Sequence, residues 1–168
     1  MQQLKVLREL GTLMISAPDP AMVIQMVLEG MCCGVGFDRI CYAAFDQSKS
    51  RLAAKLMLGA NQHLFESRFK FELKPDDSHF LVQLLANRRS IWLKPDELGE
   101  AQRQKAEELF AVVGRGSCFL APLTVSHQPQ GLFYADRRIS GRELDADSFE
   151  AFAHFARVAE ITLEHLKH

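Results

Sequence analysis

The chain has 168 residues, 48% of them hydrophobic, and a formal net charge of −1. That length makes one ordinary domain, residues 1–168, with enough apolar material for a substantial core. No basic stripe gives a nucleic-acid role electrostatic support, and no apolar run approaches the roughly 18 residues of a membrane span.

The first ten residues, MQQLKVLREL, read as an amphipathic helix rather than a signal peptide, so a cytoplasmic location is expected. This helix covers residues 2–16, with Leu4, Leu7, Leu10 and Met14 near one side. Pro18-Asp19-Pro20 stops it and starts the next, Asp19 as cap and Pro20 in the first helical position. The second helix runs to about Cys33, exposes a thin stripe at Gln25 and Glu29, and closes at Gly34 and Gly36. Residues 39–45 are apolar on both faces, which predicts a central strand. After the turn Asp46–Ser50 its hairpin partner runs from Leu52 to Leu58. Residues 69–73 alternate as a strand with one solvated face. A short helix over Phe80–Asn87, a strand at Ile91–Leu93 and a charged helix over Ala101–Val113 follow. Cys118 to Asp136 is an apolar run, a polar turn over Ser126–Gly131 and a second apolar run, hence a buried β-hairpin. Asp145 or Asp147 then caps a helix that reaches the C-terminus.

The strand pair Ala121-Pro-Leu123 and Gly131-Leu-Phe-Tyr-Ala-Asp-Arg137, followed by a long amphipathic helix, resembles the end of a GAF domain. With Gly36-Phe-Asp-Arg-Ile40 added, the resemblance is closest to GAF-like domains attached to HDOD signalling domains in bacteria. It implies an α/β fold: a central antiparallel sheet, the first, second and last helices on one face, and a roof of short helices and loops on the other. A ligand, where there is one, would sit under the roof. An HDOD domain in a longer protein is the implied output partner. The cyclic-nucleotide branch carries an Asn-Lys pair that residues 136–149 lack. Bilin carriers anchor the pigment on a cysteine, often followed by histidine, and methionine sulfoxide reductases use cysteines in the roof. Residues 42–117 hold no cysteine, and no cysteine precedes a histidine.

Under the roof, Phe71, Phe80, Trp92 and Phe110 are candidates for an aromatic pocket, with Arg115 and Ser117 as polar groups at its mouth. Packing of a small domain is the competing explanation for the aromatics. Cys32, Cys33, Cys41 and Cys118 have apolar neighbours and are expected as buried, unreactive thiols. His79 is read as a surface residue near a helix start, and the acidic residues at 145 and 147 as caps. No metal spacing, nucleophile or acid–base pair appears, so no enzyme activity, cofactor or metal is expected.

The GAF resemblance implies a strand order that places strand 39–45 antiparallel beside strand 131–136, which would bring Arg39 and Asp136 together as a structural pair. In the last helix Phe149, Phe152, Ala156, Ala159, Leu163 and Leu166 recur at 3-4-3-4-3 spacing, a seam suited to another helix. Its last turns are expected to outrun the sheet and to join Leu4, Leu7 and Met14 in a homodimer interface. The expected function is a signal-transduction sensor that binds a small molecule or relays dimer geometry. The alternative is a dimerisation module that senses nothing.

Overall fold

The computed structural model describes residues 19–59, 67–73 and 79–167, together with Lys5 and Arg8. The expected helix over 2–16, with Leu4, Leu7 and Met14, otherwise lies outside the described residues.

Helix α1, Pro20–Glu29, begins where Asp19 accepts a hydrogen bond from the Ala21 amide at 3.0 Å. It buries Val23, Ile24, Val27 and Leu28, while Gln25 and Glu29 bond to each other at its exposed side. The α-form ends four residues before Cys33. The chain continues as a π-helix over Gly30–Gly36, a GMCCGVG run whose glycines have weak helix propensity. Strands β1 (Arg39–Phe45), β2 (Arg51–Gly59) and β3 (Lys70–Glu72) come next, then helix α2 (Phe80–Asn87) and strand β4 (Ile91–Leu93). The single helix expected over 101–113 is two, α3 (Glu100–Lys105) and α4 (Glu107–Val113). They break at Ala106, which has φ −91° and ψ 0° and is fully buried. The break lets α3 stay exposed while α4 turns Leu109, Phe110 and Val113 into the core.

Strands β5 (Cys118–Val125) and β6 (Gln128–Asp136) form the second hairpin, and helix α5 (Ala146–Leu166) closes the chain. The hairpin turn is tighter than its sequence suggests. Only Ser126 (φ 52°) and His127 (φ 64°) form it, the two left-handed positions of a type I′ turn. Pro129 therefore lies inside β6, beside an irregularity in register at Leu123/Thr124 that accommodates its missing N–H. Asp145 caps α5 in a reciprocal capping box with Ser148.

The described strands form one antiparallel sheet in the order β3-β2-β1-β6-β5-β4. Central β1 pairs with β6 from Arg39 opposite Asp136 to Ala44 opposite Gly131. Side chains alternate strictly between two cores. Ile40, Tyr42, Phe119, Ala121, Phe133 and Ala135 face α1 and α5. Cys41, Ala43, Cys118, Leu120, Leu132 and Tyr134 face the roof, where α2, α4 and Phe69, Phe71 and Leu73 in and beside β3 pack. At Gly131 the strands approach so closely that a Cβ would lie 2.1 Å from the Ala43 carbonyl oxygen and 2.8 Å from the Tyr42 hydroxyl. Glycine is required there by contact, not by an unusual φ.

Candidate functional site

The roof side of the sheet ends in a buried ionic cluster. Asp136 is fully buried, and Arg39, its partner across the β1–β6 ladder, is 15% exposed. Arg39 Nε lies 3.2 and 3.0 Å from the two carboxylate oxygens, and Nη2 lies 2.5 Å from Oδ2. The same Nη2 donates to the Val113 carbonyl at 2.6 Å, which ties the end of α4 to the sheet. Asp136 also accepts from the Tyr134 hydroxyl and from the Arg138 amide. Burial, and then the charge of Asp136, pushes the neighbouring Cys118 thiol far up. Burial likewise keeps the Tyr134 hydroxyl protonated. With its carboxylate satisfied on all sides and closed off from solvent, this cluster is a strut joining β1, β6 and α4.

The six residues expected around a ligand do not converge. Phe71 and Phe110 are 3% and 5% exposed and are consumed by roof packing; Phe71 sits edge-on to Phe69 with centroids 5.1 Å apart. Trp92 is on the other side of the sheet. In β4, Ile91 and Leu93 join the roof core, so period-2 alternation sends Trp92 toward Phe119 and Phe149, with centroids 5.5 and 6.2 Å away. A three-residue strand alternates equally well either way round, so its sequence does not reveal which side chain faces the roof. Arg115 is exposed and bonded to Glu107 at 2.8 and 2.9 Å. Ser117 is exposed at the entry to β5, beside the opening that Trp92 lines.

Phe80 does line a cleft, of about 570 Å³, between α2, β4 and α3. Ile91 and Leu84 share its apolar part, and Gln83, Asn87, Arg89 and Gln102 supply polar groups. Those four polar residues are absent from the sequence-based set. A signal for two of them was present, since Gln83 and Asn87 are four apart on one short helix and share a face. Gln102 is brought in only by the packing of α3.

His79 is a cap, but a buried one. Its Nδ1 accepts from the Leu81 amide at 3.1 Å, so its Nε2–H is free to donate to Glu108, 2.6 Å away on α4. The expected burial of all four cysteines holds for Cys41 and Cys118 only. Cys32 is half-buried and Cys33 exposed, because adjacent side chains on a helical turn point in different directions. Burial, then the neighbouring Cys33, raises the Cys32 thiol. Among the described residues no group of three or more His, Cys, Asp and Glu side chains is placed to hold a metal.

The middle of the α5 seam is spent within the chain, while Leu163 and Leu166 are partly buried and line an apolar cleft with Pro20, Ala21 and Ile24. Phe152, Ala156 and Ala159 are at most 2% exposed against the helix-side core, and Phe149, Leu163 and Leu166 pack on the same core. The helix does not outrun the sheet. The β5–β6 hairpin tip extends beside its last turns, where Glu164 accepts from the Ser126 amide at 2.6 Å and hydroxyl at 3.1 Å. One turn earlier Glu160 accepts from the Thr124 amide at 3.2 Å.

No family model and no curated protein matches the chain. Solved structures do, at the level of the fold. Residues 122 to 287 of a methyl-accepting chemotaxis protein superpose with a TM-score of 0.72 at 14% identity, covering 97% of this chain and 98% of that one. A GAF domain/HD domain protein from Geobacter sulfurreducens gives 0.65 at 17% identity, over 92% and 97%. The phycoerythrobilin-bound GAF domain of a cyanobacterial phytochrome gives 0.72 at 13%, over 99% and 97%. The chain therefore has the fold of GAF domains over nearly its whole length.

Proposed function

We propose that the chain is a cytoplasmic signal-transduction domain that senses a small molecule and performs no reaction of its own. The observation that carries this reading is the cleft beside Phe80. It lies on the roof side of a GAF fold and combines an apolar floor with convergent amides and a guanidinium, the composition of a small-molecule site. The fold supplies only the prior. It is shared with a chemotaxis protein segment and a phytochrome domain. No helix among the described residues is long and apolar enough to cross a membrane. The reading includes a homodimer and, in a longer protein, an output domain of the HDOD type; the GAF domain/HD domain protein is a looser parallel.

A second reading, a dimerisation module without a ligand, is favoured by the centre of the roof. There Phe69, Phe71, Leu81, Phe110 and Tyr134 pack on one another. Native mass spectrometry of the protein as purified separates the two. A dimer carrying a reproducible added mass, lost on Gln83→Ala/Asn87→Ala substitution, supports the sensor. A dimer of bare polypeptide mass that no metabolite mixture shifts supports the module.

A further inference from the structure

A second cleft, of about 350 Å³, opens on the helix side of the sheet where β6 ends and β5 begins. Arg137, Arg138 and Arg142 line it with Trp92, Ser117 and Leu144; Glu143 is its one acidic member. The loop that carries the arginines is braced. Arg137 donates to three carbonyls, those of Gly36 (2.7 Å), Val35 (3.3 Å) and Glu143 (3.0 Å). Its charge is thus hydrogen-bonded without being neutralised. The Asp38 carboxylate takes both the amide and the hydroxyl of Ser140 at 2.7 Å, which pins the loop tip. The Gly141 amide closes back on the Arg137 carbonyl at 3.0 Å.

The other two arginines are exposed. Arg138 lies along the entry to β5, so close that a Cβ on Gly116 would fall 2.2 Å from its Nη1. Arg142 acts on Asp38 through charge. Neither guanidinium has a hydrogen bond or ion pair among the described residues. Among the described residues the buried Trp92 indole N–H has no acceptor. A buried donor without a partner is costly and rare in native proteins. The cation of Lys94, paired with Glu97 at 3.8 Å, sits 4.1 Å from the centre of the same indole. Unpaired guanidiniums on a braced loop and an exposed hydroxyl are the complement of a compact anion.

We propose that this cleft binds the phosphoryl group of a small phosphorylated molecule, held by Arg138 and Arg142, with Ser117 as a neutral donor and Trp92 and Leu144 as the apolar wall. A dianion gains from each guanidinium, where a carboxylate would use one. The site lies across the sheet from the Phe80 cleft and stands whatever that cleft binds. It also adjoins Leu144 and the capped start of α5, so occupancy would bear on the helix that spans the domain.

The test is a titration of the full chain with inorganic phosphate, followed by amide and indole N–H spectra, with acetate as the carboxylate comparison. Saturable shifts are expected at Ser117, residues 138–142 and the Trp92 indole. Arg138→Gln and Arg142→Gln should each weaken binding at least tenfold, with spectra otherwise overlaying those of the parent protein. Arg115→Gln, whose guanidinium is engaged by Glu107, should leave binding unchanged. The proposal is overturned by unsaturable shifts, by shifts confined elsewhere, or by affinity indifferent to both arginines. Acetate binding as tightly as phosphate would overturn the phosphoryl assignment.

Discussion

Asp136 takes bonds from Arg39, Tyr134 and the Arg138 amide while wholly buried, so the cost of breaking this cluster is set by what is left behind. Asp136→Ala strands a largely buried guanidinium and should cost about 3–5 kcal/mol in denaturant unfolding. Arg115→Ala removes an exposed pair and should cost under about 1 kcal/mol in the same measurement. Equal losses in the two variants would show that burial does not decide the matter. The cysteines give a second comparison at this scale. In native protein, Cys33 should react rapidly with a thiol reagent and Cys32 more slowly. Cys41 and Cys118 should react only on unfolding, since both are buried and the Cys118 thiol is pushed up by its surroundings. Fast labelling of Cys118 would contradict the packing of β5.

At the scale of elements, α5 is fixed at both ends by side-chain bonds to backbone. Its start depends on Asp145, which the Ser148 amide and hydroxyl hold below the usual carboxylate range. The sign follows from linkage. A carboxyl with a depressed folded pKa stabilises above its unfolded value of about 3.9 and loses that contribution as pH falls through the lower folded value. The Ser148 amide should therefore shift with a midpoint below that of an ordinary aspartate, and Asp145→Ala should abolish that acid transition. Its far end is tied by Glu160 and Glu164 to the end of β5 and the hairpin turn. Their spacing of four residues on the helix matches two amides two residues apart, Thr124 in β5 and Ser126 in the turn. Burial raises the Glu160 carboxyl. Between the strands, Gly131→Ala would drive a methyl into the β1 backbone, an overpacking of about 1–3 kcal/mol. A melting temperature unchanged by that substitution would mean that the β1–β6 ladder is looser than its register.

For the whole molecule the proposed dimer has to use surface the fold leaves free. On the described helices that is the outward side, where Met22 (48% exposed) and Ile161 (54%) are the large apolar groups. Ile161→Glu should give a monomer with unchanged circular dichroism in light scattering. Leu163→Glu should instead lower stability, since Leu163 packs on the domain's own core beside Ile24, Tyr42 and Leu123. If Leu163→Glu gives a folded monomer and Ile161→Glu a dimer, the seam is intermolecular after all.

The sequence by itself determined the elements and most of their partners. Continuous apolar runs marked β1, β5 and β6, and apolar character on both sides of 39–45 made β1 central. Asp19-Pro20 and Asp145 marked helix starts because capping is local chemistry between neighbours in the chain. The opposition of Arg39 and Asp136 was legible from the strand order that the GAF resemblance implied, in which the ends of two antiparallel strands meet. What tertiary structure decided was which way each short piece faces. Trp92 went to the helix side, Ala106 broke a helix to bury Phe110, and Phe152, Ala156 and Ala159 of the α5 seam closed on their own sheet. It also gathered Gln83, Asn87 and Gln102 into one cleft and Arg138, Arg142 and Trp92 into another, from separate elements. Alternation and helical spacing fix which residues share a face. Only the packing of one element against another fixes what that face meets.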